Sequence, residues 1–272
     1  MARLAPVQCT SWGTHGTSGS RFVDYYVSWD LAETTGAEQH YTERLFLLAC
    51  SPVYEPRLAL PAEATRGQLG LPQTGAIYFC PHRPAKYHPK FDAYLREILC
   101  RDSTGHVVLL VGKDPHVANR LKERIRRNLG PRAASRVIFL PQQSVDSYYR
   151  HLSVATAVLN SPVYAGEITS IDGFLYGVPS VAQTGELLVQ RYTTAYYESM
   201  EMEGFAQNDR PGYVDEAVRL GTDGDYRRQI SHLIVERSER FFDRRETIEQ
   251  WEAFFETAVA RQVAGGSPCA SA

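Results

Sequence analysis

Gly166-Glu167-Ile168-Thr169-Ser170-Ile171-Asp172-Gly173-Phe174-Leu175-Tyr176-Gly177-Val178-Pro179 decides how the 272-residue chain is read. Its apolar residues Ile171, Phe174, Leu175 and Val178 recur at helical spacing, and Gly177 and Pro179 stop the helix they predict. Residues 154–160, just before, are strand-like, and Ser180-Val181-Ala182, just after, reads as the next strand. A helix that opens after a parallel strand offers unpaired backbone N–H groups and the positive end of its dipole, which suit a phosphate. Asp172, placed in the first turn, is then within reach of a ribose hydroxyl. The same residues also admit a purely structural reading, because Thr169 followed by Asp172 fits a capping box.

The pattern repeats upstream. Residues 77–80, 106–111 and 136–140 read as short apolar strands. Between them, a helix from Pro89 carries Phe91, Tyr94, Leu95, Ile98 and Leu99 on one face. A second, over 116–129, points Val117, Leu121 and Ile125 inward and Arg120, Arg124 and Arg127 outward, and a third covers 145–153. Strands alternating with helices of this length predict an α/β fold with a parallel, doubly wound sheet. Ligands of such sheets sit beyond the carboxyl ends of the strands. The candidate contacts are therefore the residues that follow Cys80, Val111, Leu140 and Asn160.

The flanks are less regular. Residues 6–12 and 22–29 read as strands around a small-residue loop, 37–48 as a helix and 51–72 as a linker. Helices are expected over 186–204, 211–221, 225–241 and 244–262, with a disordered tail from Gly265.

Composition narrows the partners. Hydrophobic residues make up 43% and charged residues 22%, as in ordinary globular proteins, and a net charge of −2 argues against a nucleic-acid-binding surface. No apolar run has the length of a membrane span, and the amino terminus has no secretory apolar core. The 5 cysteines are scattered and odd in number, which favours reduced thiols and a cytoplasmic or nucleocytoplasmic location. The histidines do not fall at metal-ligand spacings, so no metal is expected.

Two loops carry candidate chemistry. Arg83 and Lys86 follow the 77–80 strand, and two cations beside a helix amino terminus can neutralise a diphosphate without a metal. The competing reading makes both ordinary surface charges. After Leu140 come Gln143 and Tyr148: exposed backbone here can pair with a base edge, and Tyr148 either stacks on the base or fills the helix core.

Arg3-Leu4-Ala5-Pro6-Val7-Gln8, Gly16-Thr17-Ser18-Gly19, Asp24-Tyr25 and His40-Tyr41-Thr42-Glu43-Arg44-Leu45 occur in that order. With the loops above, they resemble the C-terminal half of the protein O-GlcNAc transferases, a family that includes SPINDLY-like proteins and bacterial cytoplasmic N-glycosyltransferases. The resemblance runs from about residue 3 to about residue 262. It implies a GT-B glycosyltransferase in which residues 61–262 form the Rossmann-like, nucleotide-sugar-binding lobe. Residues 1–60 would be a remnant of the N-terminal catalytic lobe with its acceptor loop, and 263–272 a disordered tail.

The activity implied is inverting, metal-independent transfer of GlcNAc from UDP-GlcNAc to Ser or Thr of an acceptor protein or peptide, with no permanently bound cofactor. Lys86 matches the family's diphosphate lysine, which stabilises the leaving group, and Arg83 stands where the family has a phosphate-contacting Gln. Gln143 occupies the position whose backbone reads the uracil, and Tyr148 replaces a stacking His. Ile168 and Thr169 fall in the phosphate turn, and Asp172 matches the ribose-binding Asp.

The chain departs from the family at four further positions. Val145 replaces a lysine, and Ile168 replaces a hydroxyl donor. Glu167 replaces the phosphate-turn His and is expected to point away or take a proton. His15 stands where the family usually has proline and is a candidate base, against its reading as an ordinary loop histidine. The family's proposed catalytic histidine precedes the matched region, so a second chain is a candidate source of the rest of that lobe. The rival readings are a non-catalytic nucleotide-sugar-binding module, one half of a split enzyme, and an N-glucosyltransferase or O-fucosyltransferase.

Overall fold

The computed structural model describes residues 2–57, 60–61 and 64–264, and the tail from Gly265 lies outside them. The chain divides into two compact units. One holds the residues up to Arg57, Glu186–Val189 and those from Arg240 on; the other holds Leu58–Gly185 and Gln190–Glu239. This grouping differs from the expected boundaries, because the helix Arg245–Ala264 joins the first unit.

The first unit is a parallel sheet of β1 (Cys9–Thr10), β2 (Tyr25–Trp29) and β3 (Arg44–Leu48), in that order. β2 is buried throughout. The helix Arg245–Ala264 lays Phe254 and Ala258 on Tyr25, Val27 and Leu48, and the Tyr25 and Phe254 rings meet edge to face at 5.5 Å. The expected helix over 37–48 is not formed: a short 3-10 turn, Ala37–His40, leads into β3. An apolar run as short as Leu45-Phe46-Leu47-Leu48 suits helix and strand alike, and pairing with β2 from Tyr25↔Arg44 to Trp29↔Leu48 decides it.

Glu43, 5% exposed at the entrance to β3, ties down the loop that precedes β2. Its carboxylate accepts from the Thr17 hydroxyl at 2.6 Å, the Ser18 N–H at 2.7 Å and the Ser18 hydroxyl. Burial pushes this acid up, but the bonds from Ser18 and Thr17 outweigh it and hold the carboxyl at about 2.

The second unit is a five-stranded parallel sheet of β4 (Ile77–Cys80), β5 (His106–Leu110), β6 (Val137–Leu140), β7 (Ala157–Leu159) and β8 (Ser180–Val181). The strand order is β6-β5-β4-β7-β8. The chain winds outward from β4 through β5 to β6, then returns to the other side of β4 as β7. The β4–β7 boundary is thus the topological switch point, where the loops on either side diverge and leave a crevice. Phe79 lies opposite Val108 on one side and Val158 on the other, and these join Ile77, Leu152 and Val178 in the core.

The helices are α1 (Phe91–Arg101), α2 (Pro115–Leu129), α3 (Pro131–Ala134), α4 (Val145–Ser153), α5 (Ile168–Phe174), α6 (Tyr192–Ser199), α7 (Arg210–Thr222) and α8 (Gly224–Ser238). α1 packs with α2 and α7, whereas α5 packs with α4 and α8, giving the doubly wound arrangement expected. One inward and one outward assignment on α2 exchange places: Val117 is 44% exposed, while Arg124 turns in to pair with the buried Asp92 at 3.0 Å. Ala118, not Val117, takes the inward position because it falls on the stripe with Leu121, Ile125 and Leu129. No described helix is long and apolar enough to cross a membrane.

Candidate functional site

The β4–α1 loop is fixed by its own aromatic residue. The hydroxyl of the buried Tyr87 donates to the Cys80 carbonyl at 2.5 Å and accepts from the Leu110 N–H at 3.3 Å, which ties the tips of β4 and β5 together. Arg124 adds a second anchor, donating to the Tyr87 carbonyl at 2.9 Å. Between these anchors the loop presents His82, Arg83 and Lys86.

The β7–α5 turn is fixed by packing around Gly166. A Cβ there would lie 2.4 Å from Asn160 Oδ1 and 2.6 Å from Thr169 Oγ1, so only glycine fits. The Gly166 carbonyl accepts from the Thr193 hydroxyl at 2.9 Å, and the Asn160 amide donates to Thr193 Oγ1 at 3.0 Å and Ser170 Oγ at 3.2 Å. This polar knot fixes where the chain enters α5.

The two loops meet at Lys86. Its Nζ lies 3.9 Å above the centre of the Tyr164 ring, and it is attracted to Glu167, the residue that opens α5. Burial lowers the Lys86 pKa; Glu167 raises it and Arg83 lowers it further, leaving a net decrease. Burial raises the Glu167 carboxyl and Lys86 works against that shift. Of the two outcomes expected for Glu167, pointing away or taking a proton, the upward shift of its carboxyl runs in the direction of the second.

Beside this pair lies a hollow of about 480 Å³ walled by the loops after β4, β5 and β6. His82, Arg83, Gly112, Gln143, Val145 and Tyr148 line it. The Gln143 side chain is turned back on its own loop, donating to the Pro141 carbonyl at 2.7 Å and accepting from the Ser147 hydroxyl at 2.6 Å. What Gln143 can offer a ligand is its backbone. The wall is mostly apolar with a few polar edges, as suits a planar base.

Tyr148 is packed against the core and also walls the hollow. Its ring packs on Phe79 at 6.3 Å, and its hydroxyl donates to Asp172 Oδ2 at 2.8 Å. Tyr149 donates to the other oxygen, Oδ1, also at 2.8 Å. Asp172 is 7% exposed; burial raises its carboxyl and the two tyrosine hydroxyls pull it back, with a net increase. It does not sit in the first turn of α5, and the capping box is not formed. Thr169 Oγ1 is buried with no hydrogen-bond partner among the described residues, and Ile168 is 54% exposed.

His15 belongs to the first unit. It lines a separate hollow of about 430 Å³ with Thr14, Gly16, Thr17, His40 and Tyr41.

Three residues of the site escaped the sequence reading. His82 is 2% exposed at the end of β4 and lines the hollow; burial, helped by the Lys86 charge, pulls it down to about 3, so the imidazole stays neutral. Its nearest polar neighbours are Asn160 and the Leu159 backbone, and neither ring nitrogen makes a well-aligned hydrogen bond with them. Tyr149 holds Asp172, and Tyr164 underlies Lys86. For His82 and Tyr164 the available signal was position alone, each standing within a few residues of a switch-point strand end.

Comparisons with known proteins bear on the family and the fold. Over 230 residues the chain is 26% identical to a probable UDP-N-acetylglucosamine–peptide N-acetylglucosaminyltransferase SPINDLY of Solanum lycopersicum, covering 81% of this chain and 24% of that protein. A UDP-glucose:protein N-β-glucosyltransferase of Actinobacillus pleuropneumoniae is 24% identical, covering 86% of this chain and 37% of the relative. Among solved structures, a mutant O-GlcNAc transferase of Thermobaculum terrenum superposes with a TM-score of 0.83 at 21% identity. That match takes in 96% of this chain and 50% of the other, and shows the expected GT-B-type Rossmann-like fold. The chain thus spans about a quarter to two-fifths of the length of these curated relatives. The model of glycosyl transferase family 41 matches residues 58–249, and the chain belongs to that family.

Proposed function

We propose that the second unit seats a uridine-diphosphate sugar, UDP-GlcNAc in the first place, with the base in the hollow beside Gln143 and the diphosphate beside Lys86. The observation that carries this reading is the meeting of Lys86, from the β4 loop, with the Glu167 turn of the β7 loop at the switch point. The base-sized hollow alongside is lined by His82 and Arg83 from that same β4 loop. In this reading the Gln143 backbone reads the base edge, Asp172 takes the ribose hydroxyls, and Thr169 Oγ1, now unpartnered, finds a phosphate oxygen. Ile168 adds only its backbone. Lys86 and Arg83 provide the positive charge that the phosphates need, with no requirement for a metal.

The reaction we assign is a single inverting displacement. A Ser or Thr hydroxyl of an acceptor protein attacks the anomeric carbon, the bond from that carbon to the β-phosphate oxygen breaks, and its electron pair leaves on UDP. Lys86 stabilises that leaving charge. The Gly16–Gly19 loop, with His15 at its edge, is the acceptor side, held in shape by Glu43. The free thiols of Cys9, Cys50, Cys80 and Cys100 fit a cytoplasmic or nucleocytoplasmic setting.

Titration of the purified chain with UDP, UDP-GlcNAc, UDP-glucose and GDP-fucose tests the reading. Uridine nucleotides are expected to bind, UDP-GlcNAc more tightly than UDP-glucose, and GDP-fucose not at all. Absence of uridine nucleotide binding would refute it. Incubation of UDP-GlcNAc with a Ser/Thr peptide then separates transfer by this chain from binding alone or transfer that needs a second chain.

A further inference from the structure

Glu167 puts a carboxyl group where a diphosphate site is expected to hold only positive ones. Its side chain makes no capping hydrogen bond to α5, so the helix end does not account for it. It stands at the start of α5, three residues after Tyr164, over whose ring the Lys86 ammonium lies at 3.9 Å, and its charge is felt by both; Arg83, in the same loop as Lys86, also acts on that ammonium. The seat thus holds two cations and one anion, drawn from the loops after β4 and β7.

Such a seat distinguishes a sugar nucleotide from a spent one. In a nucleoside-diphosphate sugar both phosphates are esterified and each carries one charge. In the free diphosphate, the terminal phosphate carries a second charge once the pH exceeds about 6. Transfer creates that charge at the β-phosphate, the end nearest the departing sugar. A neighbouring carboxylate repels the new charge, whereas sugar hydroxyls at the same place can donate hydrogen bonds to it. Both effects favour donor over product.

We infer that Glu167 is a specificity-determining residue that sets the preference of this site for sugar-bearing over free nucleoside diphosphate and speeds product release. This rests on the reading of the hollow as a UDP-sugar site. The phosphate-facing Lys86 is common to both ligands; the carboxylate acts on the difference between them.

The test is calorimetric titration of wild type, Glu167→Gln and Glu167→Asp, at about pH 8, where the terminal phosphate of UDP is doubly charged. The ligands are UDP and whichever of UDP-GlcNAc and UDP-glucose wild type binds more tightly. Glu167→Gln is expected to tighten UDP about tenfold and to change the sugar nucleotide less than about threefold, while Glu167→Asp keeps the wild-type ratio. A ratio of the two dissociation constants unchanged in Glu167→Gln overturns the inference and leaves the donor site standing. If wild type binds no uridine nucleotide, the site itself is refuted and the inference falls with it. A merely structural role for Glu167 would weaken both ligands together and leave the ratio alone.

Discussion

Replacing Glu43 by Gln isolates what one buried carboxylate does for the loop that we assign to the acceptor. Gln keeps the shape and one acceptor oxygen, but it turns an NH2 group toward donors that are already donating: the Thr17 hydroxyl, the Ser18 hydroxyl and the Ser18 N–H. Hydrogen bonds to a charged group each contribute about 1.5–3 kcal/mol, and at least one is lost outright. The carboxyl offers a second route to the magnitude. Its pKa falls from 4.5 to about 2, which at about 1.4 kcal/mol per pH unit corresponds to about 3.5 kcal/mol as an upper bound. We therefore expect Glu43→Gln to lose about 2 kcal/mol at about pH 7.

The pH dependence has a definite sign. The folded-state carboxyl is depressed, so its contribution is fully present above 4.5 and fades as pH falls toward about 2. Urea unfolding of wild type and Glu43→Gln, followed from neutral pH down to about pH 3, should show the gap between them closing on the acid side. A gap below about 0.5 kcal/mol at neutral pH, or one that does not narrow with acid, would refute the reasoning.

Two further substitutions test the loops around the proposed donor site. Tyr87→Phe removes the hydroxyl shared by Cys80 and Leu110; it should cost about 2 kcal/mol in urea unfolding, and a loss under about 0.5 kcal/mol would show that the β4 and β5 tips hold without it. Gly166→Ala sets a methyl against Asn160 and Thr169; it should cost about 1–3 kcal/mol of stability, read as a lower melting temperature, and abolish stabilisation by UDP. Retained UDP stabilisation in that variant would show that the turn has no part in binding.

Much of this was legible in the sequence, for physical reasons that differ along the chain. The apolar cores of β4, β5 and β6, separated by periodic helices, could only be an alternating α/β layer, and the placement of α4 at Val145–Ser153 was read without error. β3 was misread because four consecutive apolar residues have no period, and pairing with β2 is a long-range fact. Arg124 looked like a surface charge until the partner Asp92, on another helix, came into view. The loop positions of Lys86 and Arg83 followed from the topology, whereas the hold of Tyr149 on Asp172 needed the packing of α4 against α5. The shift of the Glu167 carboxyl was equally hidden, since it depends on burial and on where the other loop places Lys86.

The account depends most on Lys86 facing the diphosphate, and titration of UDP into wild type and Lys86→Met, with Lys122→Met as a control on α2, tests this most directly. The half-buried ammonium makes a charge-assisted contact of about 2 kcal/mol, so Lys86→Met should weaken UDP about thirtyfold while unfolding at the same urea concentration as wild type. Equal affinity for UDP in wild type and Lys86→Met would contradict the account.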